Sequence, residues 1–197
     1  MNGSRKEKNF IIFSDAATSS KAMVSVGAFL CLDQMQFEHY SKYTAEILST
    51  KVADAVVYKE YNSKKSTWSE IKTVIDALYT IHDKLEFDQK IEIYTDCQSL
   101  CDLINKRKEK LEKNNFMTRA GKVHQNADLY KELFAIADKF YINTIKIKGH
   151  DSYMLRLTVQ EKIFAVLDKL TRKKLRTIVN DGARISPKSE IFSKTIR

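Results

Sequence analysis

The chain has 197 residues, 43% of them hydrophobic and 30% charged, with a formal net charge of +9. That length supports one domain with a proper core and a short appendage, and no apolar run approaches the roughly 20 residues a membrane-spanning helix needs. The start from Met1 to Lys8 is polar with no apolar stretch behind it, so nothing points to export. Cys31, Cys97 and Cys101 are scattered, and no second Cys or His pair completes a zinc set, so they suit buried thiols in a reducing cytoplasm.

The charge is unevenly placed. Between Lys106 and Lys122 seven Lys/Arg stand against two Glu, a local +5, and from Lys169 to Arg197 nine stand against two acids, a local +7; the remainder is about −3. Two basic segments on a slightly acidic body suggest a polyanionic partner.

In chain order, Phe10–Asp15 carries apolar residues on both pleat faces, the pattern of a central strand. Ala22–Leu32, a turn around Asp33-Gln34, and Met35–Tyr43 read as two more strands of a meander. Glu46–Tyr58 can be helical, and Asn62–Ser66 is a loop. From Thr67, Ile71, Val74, Ile75, Leu78, Ile81 and Leu85 form a helical apolar stripe. Lys90–Asp96 is a short strand followed by a helix over Gln98–Lys108 and then the basic stretch. A helix from about Asn126 to Lys139 faces Leu129, Leu133, Phe134 and Ala137 inward, and Tyr141–Lys148 alternates as a half-exposed strand. A long helix spans Thr158–Ile178. The expected organisation is a polar lead (1–8), one domain (9–178) with a basic protrusion (about 106–125), and a basic flexible tail (179–197).

Asp15 and Asp96 each end a strand buried in the sheet, where open α/β sheets place their ligands. If those strands are neighbours, two carboxylates converge, and like charges that close need a cation or a raised pKa. A hard divalent ion with oxygen ligands answers that need; Mg²⁺ and Mn²⁺ both accept such ligands, and availability rather than affinity favours Mg²⁺. Glu70 lies near the buried face of its helix and can lean toward the strand ends, although Thr67-x-x-Glu70 also fits a capping box. His150 closes the alternating strand in Lys-Gly-His-Asp; His39, His82 and His124 have no metal-ligand spacing.

Phe-Ser-Asp15-Ala-Ala, the helix from Glu70 to Leu78, Tyr-Thr-Asp96-Cys-Gln-Ser, Asn126-Ala-Asp128-Leu-Tyr-Lys-Glu-Leu and Ile-Lys-Gly-His150, in this order, resemble the motifs of type 1 ribonuclease H. The likeness spans most of residues 9–176, and Asp168-Lys-Leu-Thr-Arg172 resembles the family's last motif, an Asp opening a helix with Leu and Arg after it. The resemblance implies an α/β fold, a ribonuclease H-like mixed five-stranded sheet (three antiparallel strands, then two parallel) with helices on both faces. It also implies an endonuclease that hydrolyses the RNA strand of RNA/DNA hybrids with two Mg²⁺ ions. Asp15 would then bridge both ions, Glu70 and Asp96 bind one, Asp168 bind the other, and His150 assist product release. Lys106, Arg107, Lys108, Lys110, Lys113, Arg119 and Lys122 would form the substrate-binding protrusion. No membrane, no small-molecule cofactor and a monomer are expected.

The stretch Asp151–Leu167 departs from the family's Gly-rich loop, which leaves Asp151 and Glu161 as alternatives to Asp168, and Thr-Ala-Glu46-Ile-Leu leaves Glu46 as an alternative to Glu70. Ala-Ala-Thr-Ser-Ser-Lys after the first strand lacks the glycines that let a backbone approach a duplex closely. A nuclease of the same superfamily acting on DNA or structured duplexes, or a module that binds nucleic acid without cutting it, is therefore the competing reading.

Overall fold

A computed structural model describes residues 9–85, 89–148 and 158–185. Its centre is a five-stranded sheet in the order β3-β2-β1-β4-β5. Strand β1 (Phe10–Ser19) pairs antiparallel with β2 (Val24–Asp33), and β2 pairs antiparallel with β3 (Val57–Tyr61). On its other side β1 runs parallel to β4 (Lys90–Thr95), which runs parallel to β5 (Tyr141–Lys146). Three antiparallel and two parallel strands is the expected sheet, but its third strand is not the expected segment.

Residues 35–43 do not extend the meander. Asp33 caps a short helix, α1 (Gln34–Tyr40): its carboxylate accepts from the Gln36 backbone N–H at 2.7 Å, while its own N–H donates to Gln36 Oε1 at 2.9 Å. This reciprocal capping box satisfies two helix-terminal donors and turns the chain out of the sheet. A second helix, α2 (Ala45–Ala55), follows, capped by Thr44, and the chain re-enters the sheet edge only at Val57.

One face of the sheet carries α3 (Ser66–Ile81) and α6 (Ala127–Ala137), which bury Ile71, Ile75, Leu78, Leu133 and Phe134 against Ile12, Phe29 and Ile93. Between them in sequence, α4 (Gln98–Asp102) widens into a π-helical turn at Leu103–Arg107 and continues as α5 (Lys108–Lys113). A small turn closed by the Met117–Val123 bridge ends the protrusion. The opposite face is covered by α7 (Val159–Ile185) and α2, packing Ile163, Phe164, Leu167, Leu48 and Val52 on Ile11, Phe13 and Leu30. Helix α7 runs past the expected end at Ile178. Contact between α3 and the sheet depends on Gly27, where a Cβ would collide with Thr73 Oγ1 and the Tyr61 ring. Residues 1–8, 149–157, which include His150 and Asp151, and 186–197 lie outside the described residues. Among the described residues no helix is long and apolar enough to cross a membrane.

Candidate active site

The parallel pairing of β1 with β4 sets the site. Phe13 and Tyr94 are register partners whose rings stack 5.2 Å apart, and Asp15 and Asp96 each follow their partner by two residues. Side chains two apart share a face, so both carboxylates leave the sheet on the same side, at the same end, next to α7. Helix α3 begins beside them. It starts at Ser66 with no side-chain cap, so Thr67 lies within the helix and the expected Thr67/Glu70 capping box does not form. Glu70 instead turns into the strand ends and is 6% exposed.

Oxygens of Asp15, Glu70 and Asp96 all lie within 4.8 Å of one another. The Ala16 backbone N–H donates to Glu70, yet Glu70 Oε2 is buried with no hydrogen-bond partner among the described residues. Burial pushes the Asp15 carboxyl from 3.8 up to about 7, reinforced by the Asp96 and Asp168 charges and opposed by the Thr171 hydroxyl and the Arg172 guanidinium. Glu70 is pushed well above the ordinary carboxylate range by burial and by Asp15 and Asp96. Asp96 is raised by burial, with Arg172 and Lys146 holding it back. Three acids that titrate upward together, around an orphaned buried oxygen, are a donor set for a hard cation. The residues present fit a divalent metal.

Asp168 lies in the interior of α7 rather than opening a helix, and it lines the same cleft of about 360 Å³ as Asp15, Glu70, Asp96 and Cys97. Arg172, one turn on, grips it with both arms, Nε to Oδ1 at 2.7 Å and the second guanidinium nitrogen to Oδ2 at 3.0 Å. Glu161 is engaged at the start of α7 instead: its carboxylate accepts from the Thr158 N–H at 3.0 Å, and its own N–H donates to the Thr158 hydroxyl at 3.2 Å. Glu46 is exposed in the first turn of α2. A larger concavity, about 1960 Å³, lies at the other end of the strands, lined by Phe10, Cys31, Met35, Lys90 and Tyr141 among others. Volume does not mark the site; convergent charge does.

The basic residues of the protrusion are exposed or half-buried, and several are already paired. Lys106 bonds Asp102 at 2.8 Å, Lys113 bonds Glu109 at 2.6 Å, and Lys108 reaches Asp138, Glu112 and the Phe134 ring. Lys110, Arg119 and Lys122 are exposed and Arg107 is half-buried. Sequence reasoning did not number Arg172 or Thr171 among the site residues. Their signal was the spacing, three and four residues after Asp168, which puts both one helical turn on from the cleft.

Strand β1 runs on to Ser19, so Asp15 lies within it rather than at its end, just past the last parallel pair Phe13–Tyr94. A mixed sheet that gathers acidic residues where its central parallel pairing stops, flanked by a helix on each face, defines the ribonuclease H-like class of α/β folds. The chain belongs to the ribonuclease H family, whose model matches residues 7–174. It is 34% identical over 82 residues to a ribonuclease H of Caldanaerobacter subterraneus subsp. tengcongensis, a stretch covering 41% of this chain and 51% of that protein. The chain thus spans about half the length of the curated relatives it matches. Its fold superposes on LC9-RNase H1, a type 1 RNase H with the type 2 active-site motif, with a TM-score of 0.60 at 11% identity, covering 86% of this chain and 73% of that one. It also superposes on LC11-RNase H1 solved in complex with an RNA/DNA hybrid, with a TM-score of 0.52 at 10% identity, covering 86% and 99%.

Proposed function

We propose that the chain is a metal-dependent endonuclease that hydrolyses the RNA strand of RNA/DNA hybrids. The observation that carries this reading is the trio Asp15, Glu70 and Asp96, with its oxygens within 4.8 Å and one buried oxygen orphaned. A module that only bound nucleic acid would gain nothing from crowding carboxylates whose mutual repulsion raises their pKa values.

Asp15, between the other acids, would face both of two Mg²⁺ ions; Glu70 and Asp96 would hold one and Asp168 the other. Held by these four acids, the ions would supply an activated water and offset the negative charge that develops on the leaving oxygen of an in-line displacement. Water oxygen adds to phosphorus as the bond to the 3′ oxygen breaks, leaving a 3′-hydroxyl and a 5′-phosphate. Glu70 and Asp96 fix the donor oxygens from two different elements, α3 and the end of β4, so the donor set is rigid before substrate arrives. Arg172, holding Asp168, supplies positive charge at the lip of the cleft. His150 follows β5 in sequence and is the candidate for moving a proton at product release. Lys106, Arg107, Lys108, Lys110, Lys113, Arg119 and Lys122 would contact phosphates, with RNA told from DNA through 2′-hydroxyls. All three cysteines are free thiols, which fits work in a reducing cytoplasm.

The test is cleavage of an end-labelled RNA/DNA hybrid, with duplex RNA and duplex DNA alongside, in Mg²⁺, in EDTA, and with Asp15→Asn. Mg²⁺-dependent cutting of the RNA strand, lost in the variant, is the expected result. Tight binding with no cutting in Mg²⁺ or Mn²⁺ would overturn it in favour of a binding module, and preferential cutting of duplex DNA would move the substrate.

A further inference from the structure

Helix α7 presents two rows. Asp168 and Arg172 face the cleft, while Lys169, Lys173 and Arg176, at positions i, i+4 and i+7, form an exposed row on the outward side of the same turns. The row runs beside the cleft residues: Lys169 and Lys173 directly follow Asp168 and Arg172, which line the cleft, and Arg176 Nε donates back to the Arg172 carbonyl at 3.2 Å, which lays its side chain along the helix toward the site. Lys174, by contrast, points to the sheet edge and bonds Glu60 at 3.4 Å.

The placement of this row matters more than its charge. Leu111 and Phe116 anchor the basic protrusion in the core on the α3 face of the sheet, whereas Phe164 and Leu167 anchor α7 in the core on the opposite face. The carboxylate cleft opens between them at the strand ends. A polyanion lying across the cleft therefore meets cations on both sides of it. A strand on the α7 side would run along Lys169, Lys173 and Arg176.

From this geometry we infer that the outward row of α7 is a second backbone-binding surface, which grips the phosphates of the nucleic acid beyond the cleft, on the side away from the protrusion. The inference rests on the reading that the cleft takes nucleic acid. From Asp168 to Arg176 the helix rises about 12 Å, which corresponds to about three to four base pairs of duplex axis. The row thus lengthens the footprint and leaves the chemistry at the carboxylates unchanged. Guanidinium and ammonium groups on an exposed helix bind phosphate as charges and carry no base readout, so the added grip is independent of sequence.

The experiment measures binding of fluorescent hybrids by anisotropy, with Ca²⁺ in place of Mg²⁺, across a salt series. The full chain is compared with Lys169→Glu/Lys173→Glu/Arg176→Glu and with the corresponding triple Gln variant, which removes the charge without reversing it. Two hybrids are used, one just filling the cleft and one extending past it by several base pairs. On the long hybrid both variants should bind about tenfold or more weakly at moderate salt, with the log–log salt slope shallower by about two to three. On the short hybrid they should match the unaltered chain. Unchanged slopes on the long hybrid, or equal losses on both lengths, would overturn the proposal. So would a row needed for binding anionic phospholipid vesicles but not hybrid. If the unaltered chain prefers duplex DNA while the variants still lose slope on it, the hybrid reading fails and the α7 surface stands. If it prefers hybrid and the slopes do not move, the reverse holds.

Discussion

The acids of the cleft and the lysines of the protrusion are both dense clusters of one charge, and the fold treats them in opposite ways. Around Asp15, Glu70 and Asp96 the carboxylates are driven together under burial until their pKa values climb, opposed by the cations Arg172 and Lys146 and by hydrogen bonds from Thr171 and the Ala16 N–H. Along the protrusion Lys106, Lys108 and Lys113 each find a carboxylate on their own or a neighbouring helix and stay in water. The first arrangement costs stability and is explained only by a ligand; the second is nearly neutral to the fold. Where charge is left uncompensated at a cost, the missing partner is part of the function.

The sharpest way to break this comparison is at the site itself. Asp96→Asn should lower hybrid cleavage about a hundredfold or more, because it removes a donor oxygen from the site where charge develops. Its far-UV circular dichroism should stay unaltered, since Asp96 follows β4 rather than packing within it. Near-normal activity in that variant would remove Asp96 from the site.

The cost of crowding should be measurable without substrate. Asp15 has a folded pKa of about 7 against an ordinary 3.8, so the fold prefers its protonated form. Its stability contribution is intact below 3.8 and is lost as pH rises through about 7; the full penalty is roughly 4 kcal/mol. In EDTA at pH 8, Asp15→Asn should therefore be more stable than the unaltered chain by about 2–4 kcal/mol, and the gain should vanish near pH 4. Denaturant melts at the two pH values, repeated with Mg²⁺, provide the check. A gain that is the same at both pH values would mean Asp15 is not paying for its neighbours.

Arg172 separates the two regimes, being the cation that the acidic cleft does possess. Arg172→Gln should cost about 1 kcal/mol in EDTA, a figure reduced for its partial exposure, by leaving Asp168 without its bidentate partner. The same change should tighten Mg²⁺ binding severalfold, read by calorimetry, because the carboxylate it held becomes available to the ion. Weaker Mg²⁺ binding would assign Arg172 to holding Asp168 in place for the ion instead.

Much of this was legible in the residues. Asp15 and Asp96 announced themselves because each ends an apolar run whose face and length define a buried strand, and register then does the rest. The third strand was not legible, because Met35–Tyr43 is as apolar as a strand and the decisive feature was local: Asp33 and Gln36, three apart, close a capping box that turns the chain into a helix. Val57–Tyr61 is a five-residue edge strand burying only Tyr61, too short for alternation to declare it. Glu70 could be read as a cap or a ligand, and only the start of α3 at Ser66 decides between them. The net charge of the protrusion was countable, but its pairing was not, since Lys108 meets Asp138 from a helix distant in sequence.

That pairing yields the finest distinction. Lys108 is held by Asp138 and Glu112 over the Phe134 ring, whereas Lys110 is exposed and enters none of the ion pairs seen among the described residues. A lysine already bonded to carboxylates carries few condensed counterions to exchange with phosphate, so it adds little to the salt dependence of binding. Lys110→Glu should therefore flatten the salt slope of hybrid binding by about one, the contribution of a single phosphate contact, while Lys108→Gln should barely change it and should instead lower the melting temperature by a few degrees at most. If the two variants flatten the slope equally, phosphate competes successfully with Asp138 for Lys108, and the protrusion reorganises when it binds.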